Sequence, residues 1–210
     1  MGADAQAIWD RTAGTYARQE RLEHRAVRRA LDLLAPGPDE ALLDVATGTG
    51  LVLRELAARP APPNAVIGLD RSAGMLAEVG PLRSGWRTVR GDATALPFEN
   101  ARFDVAISSY LLHLLDAPER RVVLGELLRV VRPGGRLVVV TVWSPRAAVR
   151  ALFGGLARSS ERAFGGLTPQ DPRGDLQAAG WRLRRADVLH RGYPSLVMLA
   201  EQPRPTRSAG

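Results

Sequence analysis

Residues 42–50 read LLDVATGTG, an apolar run that reaches an acid and then gives way to small residues. The apolar part has the length of a buried strand, and the leucines of 51–58 resume with helical spacing. Small residues between a strand and a helix let a ligand approach the backbone, and the start of a helix offers free N–H groups. The stretch therefore predicts either a ligand-binding loop or a plain structural turn.

Short apolar strands alternate with helical segments along the rest of the chain. Strands are predicted at 42–45, 66–69, 86–90, 103–108 and 136–142, and helices at 51–58, 73–79 and 119–131. Two further strands, 182–188 and 195–201, flank a turn and predict a hairpin. The pattern predicts an α/β fold: one Rossmann-like doubly wound sheet, mostly parallel with an antiparallel C-terminal hairpin strand, and helices on both faces.

The flanks of this alternating region differ from its centre. Residues 4–34 have the apolar spacing of one or two helices. We expect 1–35 to form an N-terminal helical lid and 36–201 to form the Rossmann-like domain. Within that domain, 146–180 is expected to be a substrate-side insertion. Residues 202–210 are expected to be a flexible tail.

Composition excludes several kinds of chemistry. The chain has 210 residues and no cysteine, which excludes disulfides and cysteine nucleophiles. All 29 of its basic residues are arginines, so Schiff-base chemistry and the lysine of a P-loop are also excluded. The net charge of +7 comes from the flanks, whereas 30–145 carry 12 arginines against 13 acids. No apolar run approaches the roughly 18 residues of a spanning helix, and we expect a cytoplasmic protein.

A second acid points to a ribose. Asp70 ends the strand AVIGLD, 22 residues after Gly48, near the offset at which an acid takes ribose hydroxyls. A dinucleotide and a nucleoside without pyrophosphate both remain open. The G-x-G-x-x-G fingerprint is absent, since position 53 is leucine, and a pyrophosphate gains nothing from Asp44. A ligand with a cationic amino-acid part would gain from that carboxylate, and S-adenosylmethionine combines a ribose with sulfonium and ammonium groups.

Four segments in order carry a family resemblance: LLDVATGTG, VIGLDRSAGML, VRGDATALPFENARFDVAISSYLLHLL and LLRVVRPGGRLVVVTVW. Over about residues 8–142 the chain resembles class I S-adenosylmethionine-dependent methyltransferases, and within them the ubiquinone/menaquinone C-methyltransferase-like subset. WDRTAGTYARQ is similar to the opening segment of that subset, with Ala17 where a second aspartate usually stands. Ala46 stands where the wider family often has glycine.

The resemblance implies a set of cofactor-binding residues. Asp44 would lie near the methionine end, Tyr16 over the sulfonium, and Ser108 would offer backbone to the ammonium group. The loop under the cofactor would consist of Ala46, Thr47, Gly48 and Gly50. The nucleoside would be bound by Asp70 at the ribose, Arg71 and Met75 beside the adenine, and Asp92 and Ala93 at its edge. Taken alone, Asp92 also fits a helix cap, and Tyr16 also fits a packing residue.

Catalytic residues are few, because the cofactor itself supplies the electrophile. His113, after the strand FDVAISS, is the candidate general base, and the alternative is a histidine that structures the loop. No cluster has the spacing of metal ligands, so no metal is expected.

Three classes of function follow. The favoured one is an enzyme that methylates a small lipophilic acceptor, first a quinol-type ring carbon. A phospholipid headgroup amine and a soluble secondary metabolite are its alternatives. A nucleic-acid methyltransferase is disfavoured because the central region carries no basic excess. A cofactor-sensing module without turnover stays open. Peripheral contact with an anionic membrane at its inner face is expected through the N-terminal helix, whose arginines are Arg18, Arg21, Arg25, Arg28 and Arg29.

Overall fold

The computed structural model describes residues 17–147, 151 and 171–204. In these ranges one sheet of seven strands has the order β3-β2-β1-β4-β5-β7-β6. The strands are β1 (Ala41–Val45), β2 (Ala65–Asp70), β3 (Trp86–Arg90), β4 (Phe103–Ser109), β5 (Val131–Val142), β6 (Arg182–Leu189) and β7 (Ser195–Glu201). The α-helices are α1 (Ala17–Leu34), α2 (Leu51–Ala57), α3 (Ala73–Ala77), α4 (Ala117–Val130) and α5 (Arg173–Ala178), and Leu112–Leu114 form a 3-10 turn.

The pairing confirms the predicted sheet. β1 pairs in parallel with β2 on one side and β4 on the other, and β3 and β5 extend the parallel part. β7 runs antiparallel to both β5 and β6, so the predicted C-terminal hairpin is present. The strand order reverses between β1 and β4. In such a sheet the crevice for a ligand opens beyond the carboxyl ends of the strands at this reversal.

The start of β5 differs from the sequence-based prediction. The sequence predicts a helix as far as 131 and a strand from 136, but β5 already begins at Val131. Gly134 N–H donates to the Gln202 carbonyl at 3.0 Å, and Gln202 N–H donates back to Gly135 at 2.9 Å. Because the chain that follows β7 supplies these partners, the proline–glycine segment becomes an irregular part of the strand. Its register shifts between Phe103 and Val105 of β4.

The sheet separates two apolar layers. On one face α1 packs against the strands through residues that are at most 2% exposed: Ala26, Val27, Ala30, Leu31 and Leu34. On the other face α4 packs through the fully buried Val123, Leu124, Leu127 and Val130, with α5 beside it. The apolar stripe that the sequence placed on the N-terminal helix is therefore used to cover the sheet.

Two arginines of α1 also hold this helix to its neighbours. Arg28 pairs with Glu55 of α2 at 2.7 Å, and Arg29 pairs with Asp187 of β6 at 2.6 Å. Across residues 17–147 and 171–204, no helix combines the length and apolarity needed to cross a membrane.

Candidate functional site

A cleft opens at the carboxyl ends of β1, β2, β3 and β4. It encloses about 910 Å³ when its open mouth is counted. Seven of the residues predicted to bind cofactor line it: Ala46, Gly48, Asp70, Arg71, Met75, Asp92 and Ala93. Segments far apart in sequence thus meet at the edge where the resemblance implied a common site.

The loop after β1 exposes its backbone to this cleft. Ala46, Gly48 and Gly50 have φ values of 62°, 56° and 86°, a left-handed conformation that glycine adopts with the least strain. Among the described residues other than its chain neighbours, no atom lies within 4 Å of where a Cβ on Gly48 would stand, so a ligand can approach the main chain there. On the other side, a Cβ on Gly68 of β2 would come within 2.9 Å of the Thr47 hydroxyl. The loop therefore packs tightly on the sheet.

Asp70, at the end of β2, is tied to this loop. One of its oxygens accepts from Gly48 N–H at 2.8 Å and the other from Ser72 N–H at 2.9 Å. Burial raises the pKa of Asp70, and the two N–H donors partly offset this effect. Each carboxylate oxygen can accept more than one hydrogen bond, so ribose hydroxyls can be added to these contacts.

Asp44 is the strongest electrostatic feature of the site. Its side chain is fully buried, and neither oxygen has a hydrogen-bond partner within the part of the chain that the structure describes. Burial raises its pKa to about 7 and the charge of Asp70 adds to this effect; the nearby Thr47 hydroxyl opposes it, although its contact with Asp44 lacks hydrogen-bond geometry. A buried carboxylate without a partner is costly. Asp44 itself does not line the cleft, but Ala46, two residues further on, does.

Asp92 stands at the opposite end of the cleft, after β3. Its Oδ1 accepts from the backbone N–H of Thr94 at 2.9 Å and from the Thr94 hydroxyl at 2.7 Å. Although partial burial opposes it, these donors and the charge of Arg71 lower the pKa of Asp92. The turn role and the cofactor role are compatible, because only one of the two carboxylate oxygens takes part in the turn.

Sequence reasoning missed one wall of the cleft. This wall is apolar apart from one acid and comes from the 3-10 turn and α4: Leu111, Leu114, Leu115, Glu119 and Val123. The rule that strand ends converge predicts only residues directly after the strands, whereas Glu119 and Val123 reach the cleft through helix packing. An apolar wall beside acids suits an adenine ring.

Tyr110, directly after β4, was also missed. It lines the cleft and has a φ of 58°, an uncommon conformation for a bulky residue that often marks a functional position. Its hydroxyl lies 2.8 Å from that of Ser195. Burial raises the pKa of Tyr110, and the negative charge of buried Glu23 adds to this effect. The residue therefore stays a neutral hydrogen-bonding phenol.

Some predicted residues are not at the cleft surface. Thr47, Gly50 and Ser108 do not line it, and Ser109 lines it instead of Ser108. Tyr16 lies outside the described residues. His113 is 4% exposed, does not line the cleft, and has a pKa that burial lowers to about 3.

The residues of the site fit S-adenosylmethionine. An orphaned buried acid suits its positive charges, the open backbone at Gly48 suits a close ligand, and Asp70 suits ribose hydroxyls. The cleft would hold the nucleoside among Asp70, Met75 and the apolar wall.

Asp44→Asn should stabilise the protein without cofactor at neutral pH. The native state keeps a proton on Asp44 up to a pKa of about 7, whereas the unfolded chain loses it near pH 3.9. The parent therefore loses stability as pH rises between these values, by up to about 4 kcal/mol. Urea unfolding at acidic and neutral pH measures the difference. Asp39→Asn, at an exposed position, is the control, and an Asp44→Asn protein less stable than the parent at neutral pH would contradict the assignment.

Comparisons with known proteins agree with this geometry. Residues 42–135 match the family described as "Methyltransferase domain". A demethylmenaquinone methyltransferase of Beutenbergia cavernae is 41% identical over 128 residues, 60% of this chain and 51% of the relative. A ubiquinone/menaquinone biosynthesis C-methyltransferase of Roseobacter denitrificans is 38% identical over 124 residues, 56% of this chain and 48% of the relative. The chain thus spans about half the length of these relatives.

The fold has solved counterparts. An S-adenosylmethionine dependent methyltransferase of Mesorhizobium loti aligns with a TM-score of 0.63 and 21% identity, covering 86% of this chain and 98% of the other. The fold and the family match agree with the resemblance seen in the sequence. The chain is similar to the methyltransferase domain family over residues 42–135, and to the demethylmenaquinone and ubiquinone/menaquinone C-methyltransferases.

Proposed function

We propose that this protein binds S-adenosylmethionine and transfers its methyl group to a small lipophilic acceptor. The observation that carries the proposal is Asp44, a fully buried carboxylate without a partner in the described residues, beneath a loop with an open backbone. A cationic ligand balances that charge, whereas the pyrophosphate of a dinucleotide would be repelled by it. NAD is therefore the disfavoured ligand.

The roles of the chain's own residues follow from their positions. When bound, S-adenosylmethionine supplies a methyl group on a sulfonium. Asp44 would balance positive charge, Asp70 would accept hydrogen bonds from the ribose, and Asp92 would accept one from the adenine. The apolar wall at Leu111 and Leu115 excludes water, which strengthens the electrostatic interactions within the cleft. The protein thus contributes binding and alignment.

Asp70→Ala should weaken cofactor binding. The change removes a charged hydrogen-bond acceptor from the ribose and two bonds from the loop, a loss of about 1.5–3 kcal/mol. Calorimetry with S-adenosylmethionine measures it against a parent affinity in the micromolar range, about −8 kcal/mol. Asp39→Ala serves as the exposed control. Equal affinity in Asp70→Ala and the parent, or tight NAD binding by the parent, would sink the assignment.

We propose a quinol-type ring carbon as the first acceptor. The support is the activity for which the similar proteins are named, the methylation of demethylmenaquinone and C-methylation in ubiquinone/menaquinone biosynthesis. A phospholipid headgroup amine and a soluble secondary metabolite are the alternatives. Tyr110 lines the cleft, but its hydroxyl is buried against that of Ser195, so no acceptor contact is assigned to it.

His113 is a weak candidate for the base. An imidazole whose pKa is held near 3 is a poor proton acceptor at neutral pH, and His113 does not line the cleft. His113→Ala should therefore slow methylation of a demethylmenaquinol analogue by less than about threefold, against about 10²–10⁴-fold for a positioned base. Mass spectrometry of the products measures the rate with the demethylmenaquinol analogue. A phospholipid extract, offered as a second substrate, tests the headgroup amine as the acceptor. A loss of about 10²-fold with unchanged cofactor affinity would make His113 the base.

We further propose a division of labour along the chain. Residues 1–35 would cover the site, 36–201 would form the methyltransferase domain with 146–180 on the acceptor side, and 202–210 would be a tail. In support, the first turn of α1 contacts the loop after β1 through Glu20, while the rest of the helix covers the sheet.

Weak contact of α1 with an anionic membrane is the remaining proposal. Its apolar residues pack on the sheet, so the contact would come from exposed arginines such as Arg21 and Arg25, each contributing roughly 1 kcal/mol. We expect salt-sensitive co-sedimentation with anionic vesicles, none with zwitterionic ones, and a weaker signal in Arg21→Gln/Arg25→Gln. Negligible binding to both vesicle types would remove the membrane and favour a soluble acceptor.

A further inference from the structure

Two acids join α1 to α2 and differ in what they touch. Glu20 lies in the first turn of α1, and Glu55 lies in α2. Both side chains are 12% exposed. The hydrogen-bond partners of Glu55 among the described residues lie in α1: His24 Nδ1 lies 2.7 Å from Oε1, and Arg28 Nε donates to Oε2 at 2.7 Å. This pair fixes one helix against the other.

Glu20 instead contacts the loop after β1. The Thr49 hydroxyl donates to Glu20 Oε1, and Arg54 Nη2 lies 2.7 Å from both carboxylate oxygens. Arg54 Nη1 in turn donates to the Thr49 carbonyl at 2.6 Å. Both polar groups of Thr49, its hydroxyl and its carbonyl, are therefore fixed by one ion pair.

Thr49 stands at the point where the loop's shape is set. It lies between Gly48, which lines the cleft and is bonded to Asp70, and Gly50, which precedes the first turn of α2 with a φ of 86°. Gly48 and Gly50 flank Thr49 and both have left-handed backbone angles. Because glycine tolerates a wide range of such angles, these two residues do not by themselves hold the loop in one conformation. The contacts of Glu20 add to the restraint that Asp70 and the packing on Gly68 already give the loop.

We propose that Glu20 is a positioning residue of the cofactor site, which makes docking of α1 and binding of the cofactor mutually dependent. The inference rests on the proposed binding of S-adenosylmethionine. Glu20 holds Thr49, Thr49 fixes the loop, and the loop presents the Gly48 backbone and the Asp70 carboxylate to the ligand. An ion pair whose arginine side chain is 47% exposed adds little net stability, and its use here is geometric.

Energetic coupling between sites is reciprocal. If α1 docked through Glu20 strengthens cofactor binding, then bound cofactor must strengthen the docking of α1. Cofactor should therefore slow hydrogen exchange of the amides in the first turns of α1, although none of the described residues of this helix lines the cleft.

The experiment compares Glu20→Gln with Glu55→Gln. Glu20→Gln should weaken S-adenosylmethionine binding about tenfold, or 1.4 kcal/mol, and raise KM for the cofactor with little change in kcat. Glu55→Gln, equally buried and on the same helix pair, should lower the free energy of unfolding but leave cofactor affinity within about twofold. Calorimetry, steady-state kinetics and urea unfolding are measured on the full chain.

Thr49→Val tests the same contact without disturbing the ion pair. It removes the hydroxyl that donates to Glu20, should reproduce the affinity loss, and should be non-additive with Glu20→Gln. If Glu20→Gln fails to fold, Thr49→Val and the hydrogen exchange of the parent still decide. Equal affinity changes in the Glu20 and Glu55 variants, or no protection of α1 by cofactor, would overturn the inference. A parent that binds no S-adenosylmethionine would instead overturn the proposed function.

Discussion

The position of β1 between two parallel neighbours is the constraint on which the site depends. β1 pairs with β2 on one side and β4 on the other, so the carboxyl ends of these strands lie at one edge of the sheet. The chain connections on the two sides of β1 lead in opposite directions along the sheet. A crevice is left between them. Asp44, the loop after it, Asp70 and Tyr110 all take their places from this arrangement.

The same arrangement concentrates negative charge where it is costly. Asp44 is enclosed by the two neighbouring strands and has no partner among the described residues. Asp70 is mostly buried nearby and raises the pKa of Asp44 further. A fold selected for stability alone would replace such an acid with an apolar or amide residue. We therefore interpret Asp44 as part of a site in which a cationic ligand neutralises the buried carboxylate.

Regular patterns in the sequence predicted much of this structure. Alternating strands and helices predicted the sheet and its hairpin, and the acids at 44, 70 and 92 lie at or just after the ends of strands that must converge. The apolar wall from α4 and the contact of Glu20 with Thr49 were not predictable, because both depend on how helices pack against the sheet. His113 shows the converse limit: its place after β4 suggests a base, whereas the structure buries it, and burial lowers its pKa to about 3.

In the proposed complex, the negative charge of Asp44 is balanced by the positive charge of the bound cofactor. NMR of the protein with 13C-labelled aspartate carboxyl groups, assigned with Asp44→Asn, measures this balance most directly. Without ligand, the Asp44 carboxyl should titrate with a pKa near 7. With saturating S-adenosylmethionine its pKa should fall by at least about 1 unit, because a nearby positive charge favours the ionised form. An Asp44 pKa near 4 in the free protein, or one that cofactor leaves unchanged, would contradict the account.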